Sequence, residues 1–233
     1  MIDTTNLELA PGSGKDKGDG RAVTQEVLWR LQKTTSQNPG NAATKDIITM
    51  LQKNRQQEQQ FVEAVYNLDL PTVTEFFETN PELFSCDRIF ERKKTYHVDL
   101  VSLVCAAENN PRVPEYVDRF DTAKTIMGFV VEKNGVAAVL KKTKDLYYTH
   151  NVSHNHVEST FKVPVEVSPK MQAYFTALEK HRQYIEKITS DLLSMVDGQV
   201  DPKVPGSQQA AKDIHGVVAQ VKGYTDRNVG QDF

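Results

Sequence analysis

Residues 61–84 read FVEAVYNLDLPTVTEFFETNPELF, and the fold turns on how this stretch is read. Phe61, Ala64, Val65 and Leu68 recur at the three- and four-residue spacing of one helix face, and Val73, Phe76 and Phe77 do so again after a break. Within the break, Asn67 and Asp69 have short side chains that bond to nearby backbone. Pro71 suits the first turn of a new helix, where a missing N–H costs nothing. The pattern predicts two short helices around a tight turn.

A second, looser copy lies downstream. Leu103–Asn110, LVCAAENN, supplies its first helix, and Ile126–Gly135, IMGFVVEKNG, its second. Ala106 and Ala107 are small enough to let neighbouring helices approach, with Leu103, Phe129 and Val130 filling the layer, so both alanines are expected in the interior.

These residues resemble the ankyrin repeat. Asn67-Leu68-Asp69-Leu70, followed by Val73, Phe76 and Phe77, is similar to the family's Asn-Gly-Asp-Leu turn and Val-x-x-Leu-Leu helix, and Leu103–Asn110 is similar to its Leu-His-Leu-Ala-Ala-x-x-Gly. Val101-Ser102 stands where the family has Thr-Pro, Leu68 stands where it has glycine, and PRVPEYVDRFDT at 111–122 exceeds its usual connection. The resemblance implies a repeat core that binds another protein, with 85–99, SCDRIFERKKTYHVD, as the projecting finger between units. Chains with few such units and added helices also resemble translocated bacterial effectors, which act on host proteins.

The flanks follow from local chemistry. Residues 1–20 end in PGSGKDKGDG and are expected to be a disordered lead; Gly12-Ser13-Gly14-Lys15 echoes a phosphate loop, but Asp16 stands where Ser or Thr is needed. Residues 21–57 are expected to form two capping helices. The first carries Val23, Val27, Leu28 and Leu31 with Trp29 on the other side. After a break at 38–41, the second starts near Thr44 and carries Ile47, Ile48 and Leu51. The repeat core is assigned to 58–150 and a small β segment to 151–167. Val136–Leu140 reads as a short helix or strand. Phe161, Val163, Val165 and Val167 alternate as in a strand that Pro164 confines to a sheet edge.

Residues 168–233 read as an antiparallel helical hairpin. Ser168 caps a helix, Pro169 opens it, and Met171, Tyr174, Leu178, His181, Ile185, Ile188, Leu192 and Met195 follow in heptad rhythm. A second helix carries Ala211, Ile214, Val218 and Val221, and the TDRNVGQDF tail is expected to fray. The seam reads as core of a monomer, with a homodimer through the 168–197 helix as the alternative. The fold class is therefore mainly α: an ankyrin-like helical-repeat core with flanking helices, a small β-hairpin and a C-terminal antiparallel helix pair.

Composition narrows the function. The 233 residues suffice for one large domain or two small ones, and 39% hydrophobic content supports a core. A net charge of −3 gives no global case for nucleic acid or an acidic membrane as partner. Two cysteines, Cys86 and Cys105, cannot make a disulfide framework and point to a reducing compartment. No apolar run approaches the roughly 18 residues of a membrane span, and no basic-then-apolar signal opens the chain. The expected location is cytoplasmic, or a host cytosol reached without a classical signal peptide.

Candidate partner-binding residues are Phe90, Arg92, Lys93 and Tyr96 in the finger and Tyr116 and Phe120 in the insertion, because aromatic and arginine side chains concentrate binding energy. The competing readings are a solvated charge run and a loop anchored by its own aromatics. The metal candidates are His150, His154, His156 and Glu158. Were 154–158 extended, His154, His156 and Glu158 would fall on one side, giving two imidazoles and a carboxylate for zinc or iron with an open position. Surface histidines are the simpler reading. A Cys86–His97 thiol–imidazole pair has nothing in the sequence to bring it together. No cofactor motif is present. The sequence favours a protein-interaction module without chemistry of its own, and the alternative is a metal-dependent enzyme centred on the histidines.

Overall fold

The computed structural model describes the backbone of residues 42–93, 95–154 and 157–231, and the side chains of all these except 42–45, 153, 154, 157, 158 and 231. The glycine-rich lead, the helix read at 21–34 with Trp29, the break at 38–41, the side chain of the Thr44 cap and Lys94 fall outside the described residues. The chain divides into two compact units, 1–56 and 57–233. Helix α1, Ala42–Tyr66, is continuous through the polar KNRQQEQQ segment.

The turn at 67–69 forms as its residues dictate. Leu68 takes φ 53°, the left-handed conformation that the family pattern assigns to glycine and that costs a branched side chain about 1 kcal/mol or more. Its side chain is nevertheless buried. Asp69 then caps α2, Leu70–Thr79, accepting from the Thr72 hydroxyl at 2.7 Å. A 3-10 turn, Pro81–Phe84, leads into the 85–99 segment. That segment pairs as strands β1, Ile89–Arg92, and β2, Tyr96–Asp99.

Helix α3, Leu100–Glu108, is capped by Asp99 through the Ser102 N–H (3.0 Å) and hydroxyl (2.8 Å). It is buried on every side except at Ala106, which is half-exposed; only Ala107 of the alanine pair is fully interior. Helix α4, Arg119–Asn134, follows the insertion, and α5 is Val136–Lys142, a helix and not a strand. Gly135 between them has φ 83°, and a Cβ there would collide with the Asp226 carboxylate. Two longer strands, β3 (Tyr147–His154) and β4 (Val157–Pro164), join the first two in one antiparallel sheet of order β1-β2-β3-β4. The expected lone hairpin at 151–167 is thus corrected: among the described residues the sheet has four strands and starts at Ile89, because β2 lends its second edge to β3.

Ser168 caps α6, Pro169–Gly198, through the Met171 N–H at 3.0 Å, with Pro169 in its first turn. Helix α7, Ser207–Asn228, returns antiparallel, as shown by Asp197 bonded to His215 (2.8 Å) and the Tyr174 hydroxyl donating to the Gly230 carbonyl (2.7 Å). Expected fraying of TDRNVGQDF is also corrected. Val229 and Gly230 are buried, and Gly230 lies so close to Gly128 and Val131 of α4 that a Cβ would stand 2.9 Å from the Val131 side chain. No helix among the described residues is long and apolar enough to cross a membrane.

The core is one cluster with an aromatic centre. Phe61 meets Phe76, Phe84 and Phe90 at 5.0–5.5 Å between centroids, and Phe77 stacks on Phe129 at 4.7 Å. Asn134 ties this cluster to the end of α4. Its Oδ1 accepts from the Cys86 N–H (2.9 Å), and its Nδ2 donates to the Phe84 (2.7 Å) and Val130 (2.7 Å) carbonyls. Asn134→Leu is expected to lower the unfolding free energy by about 3 kcal/mol, since it removes the side-chain partners of the Cys86 N–H and the Phe84 carbonyl. Urea denaturation with an unchanged midpoint would contradict this assignment.

Candidate functional site

The sheet register sorts its side chains into rows. Phe90, Val98, Tyr148 and Val163 are directly opposite one another across the four strands and so share a face. Phe90 and Val98 are buried in the core, and Tyr148 packs against it. One row further out on that face stand Arg92, Tyr96, His150 and Phe161. This outer row lies past the edge of the core: the first three are half-buried and Phe161 is 55% exposed.

The row is a preformed plate. Tyr96 stacks on His150 at 4.3 Å with ring planes 10° apart and tilts against Tyr148 at 5.5 Å. The Arg92 guanidinium carbon sits 3.3 Å from the centroid of the Tyr66 ring, and its Nε lies 3.4 Å from a Glu63 carboxylate oxygen. The cation is thus held flat on the last turn of α1. At the opposite side of the sheet from Arg92, β4 is an edge strand, as Pro164 requires. Flat aromatic surface beside a fixed cation suits contact with a polypeptide side chain, and an edge strand can accept an added strand.

The insertion supplies a second exposed aromatic. Val113 is buried, Asn110 accepts from the Arg112 N–H (3.0 Å) and donates to the Tyr66 carbonyl (2.8 Å), and Arg119 donates to the Val113 carbonyl (2.9 Å). These bonds fix residues 110–119 while leaving Tyr116 89% exposed. Phe120 packs against the core with the Lys170 ammonium 5.3 Å from its ring.

The predicted residues therefore separate. Arg92 and Tyr96 sit together in the outer row. Lys93 is exposed at the β1–β2 turn with φ 51°. Tyr116 is a free-standing surface aromatic. Phe90 is fully buried against Phe61 and offers no contact surface: strand alternation turns it inward between the outward-facing Ile89 and Glu91. Phe161 and Tyr66 belong to the plate and were missed. Phe161 alternates in phase with Val163, and that period was the available signal.

Of the metal candidates, His150 is committed to the stack with Tyr96, and His156 and the side chains of His154 and Glu158 lie outside the described residues. His154 ends β3 opposite Val157, and Glu158 belongs to β4 opposite Ser153. Among the described residues no group of three His, Cys, Asp or Glu side chains could hold a metal ion. Both cysteines are free and buried. Burial pushes the Cys86 thiol up to about 12 and raises that of Cys105 as well, which disfavours the thiolate at both. No family model, curated protein or solved structure matches the chain.

Proposed function

We propose that this protein is a protein-interaction module on an ankyrin-like helical-repeat core, which docks another protein on the outer row of its sheet and the 110–119 loop. The observation that carries the reading is Tyr116, a large aromatic 89% exposed on a loop fixed by buried Val113 and by side-chain bonds from Asn110 and Arg119. An aromatic held out by a rigid loop loses little freedom when a partner covers it, which is where interfaces gain affinity. Arg92, Tyr96, His150 and Phe161 extend the surface with rings and a positioned cation.

The order of elements supports the ankyrin-like part: a helix pair, a β-hairpin, and a second helix pair, with Leu68 left-handed where the family has glycine. Action on a host protein after delivery by a bacterium extends this reading on the likeness alone.

Tyr116→Ala is expected to weaken capture of the partner by about 2 kcal/mol, roughly 30-fold, with the helical circular dichroism unchanged. Equal affinity of the variant and the unmodified chain for the same recovered partner would remove the loop from the interface.

A further inference from the structure

The α6–α7 hairpin is half buried and half bare. Met171, Tyr174, Phe175 and Leu178 anchor the start of α6 in the core. Past them the helices touch each other through an internal seam, with Ile185, Thr189 and Val196 half-buried on α6 and Ala211 and Val218 buried on α7. A second apolar stripe runs beside that seam on each helix. On α6 it is Ile188, Leu192 and Met195, and on α7 it is Ile214, Val217 and Val221, between 41% and 66% exposed. Tyr184 (62%) and Tyr224 (69%) close the inner end.

The two stripes lie on one face. Each stripe residue of α6 precedes a half-buried one by one position, as 188 precedes 189, 192 precedes Leu193 and 195 precedes 196, and on α7 217 precedes the buried 218. One residue is about 100° of rotation. The same rotation on two antiparallel helices turns both stripes to the same side of the pair. The Asp197–His215 and Tyr174–Gly230 bonds set the level, so Ile188 stands beside Val221, Leu192 beside Val217 and Met195 beside Ile214. The result is a flat apolar ladder two helices wide.

We infer that this ladder is a self-association surface, and that a second copy of the chain covers it to complete a four-helix bundle. Two features of the face select a second copy. The first is area: the eight side chains leave on the order of 800 Å² accessible, the share one partner brings to a standard interface. The second is charge. With Tyr184 and Tyr224 included, the apolar row runs over 184–195 on α6 and 214–224 on α7, so the midpoints fall at 189–190 and at 219, and these points are level with each other. A two-fold axis through them, perpendicular to the helices, sets α6 antiparallel to the partner's α6 and likewise for α7. Lys187 then faces the partner's Asp191, and Asp213 faces the partner's Arg227; all four side chains are exposed along the rims of the ladder. An axis parallel to the helices instead puts Asp213 opposite Ser194 and Gly198 and forms no opposite-charge pair. The antiparallel two-fold therefore matches both the apolar rungs and the rims.

Sedimentation equilibrium of the full chain across micromolar concentrations tests this. The unmodified protein is expected to approach the dimer mass. Ile188→Glu with Val221→Glu, both on exposed positions, is expected to shift dissociation by at least about 100-fold toward monomer, equivalent to two factors of ten in Kd, with the melting temperature retained. Lys187→Glu and Asp191→Lys copies are each expected to associate weakly alone and to recover association when mixed, because every rim pair between the two variants becomes attractive. A chain that stays monomeric throughout overturns the inference, and that is the result expected if its own 21–34 segment or a different protein covers the ladder. A mixture that fails to reassociate overturns the antiparallel two-fold.

Discussion

Ala107→Glu is expected to leave the chain without a cooperative unfolding transition. Ala107 is wholly inaccessible on α3, a helix enclosed by the rest of the core. Glutamate adds a chain that the layer has no room for and a carboxylate with no partner at that site. Overpacking alone costs about 1–3 kcal/mol, and burying an unpaired charge adds several more. A domain of this size has about 5–15 kcal/mol in total, so the variant stands at or beyond the limit of folding. Ala106→Glu is the control. Ala106 is half-exposed on the same helix, and its glutamate can turn to solvent. Calorimetry should show a sharp endotherm for the Ala106 variant and none for the Ala107 variant. Similar melting of both would mean that α3 is not the enclosed central helix.

Phe61→Ala carries the next largest effect, an expected loss of about 3–5 kcal/mol. The ring is fully buried and touches three other phenylalanines, one each from α2, the 3-10 turn and β1. Its removal opens a cavity where four elements meet, and aromatic neighbours are too stiff to collapse into it. Phe61→Leu keeps most of the volume and should recover much of the loss. Guanidinium titration gives both values. A cost under 1 kcal/mol for Phe61→Ala would place the aromatic centre elsewhere.

The helices were legible where a local signal fixed them. Asp69 and Pro71 marked the start of α2, Ser168 and Pro169 the start of α6, and Gly135 the end of α4, because capping and backbone freedom act within a turn of the chain. The strands of the finger were not legible. IFER and YHVD are four residues each and dense in charge; they pair with each other, and YHVD also pairs with β3, about fifty residues away. Phe90 was misread for the same reason: amid charges it resembles a surface anchor, and only the pairing shows which way it turns. Periodicity also found the α6 seam but could not say what lies opposite it. Met171 to Leu178 face the core, whereas Ile188 to Met195 face solvent. The tail looked polar, and nothing local announced that Val229 and Gly230 fit against α4. On the proposed surface, Arg92, Tyr96 and Tyr116 were legible from residue type, and Phe161 was not, because its place beside His150 follows from register alone.

We propose that a partner protein sits on the outer sheet row and the 110–119 loop. Photo-cross-linking tests it most directly, with a benzophenone side chain placed singly at Tyr116, at Phe161, and at exposed Val204 in the α6–α7 connection. The account predicts one discrete adduct from 116 and from 161 to the same protein, competed away by unmodified chain, and no such adduct from 204. Adducts from 204 alone, with none from 116 or 161, would contradict it.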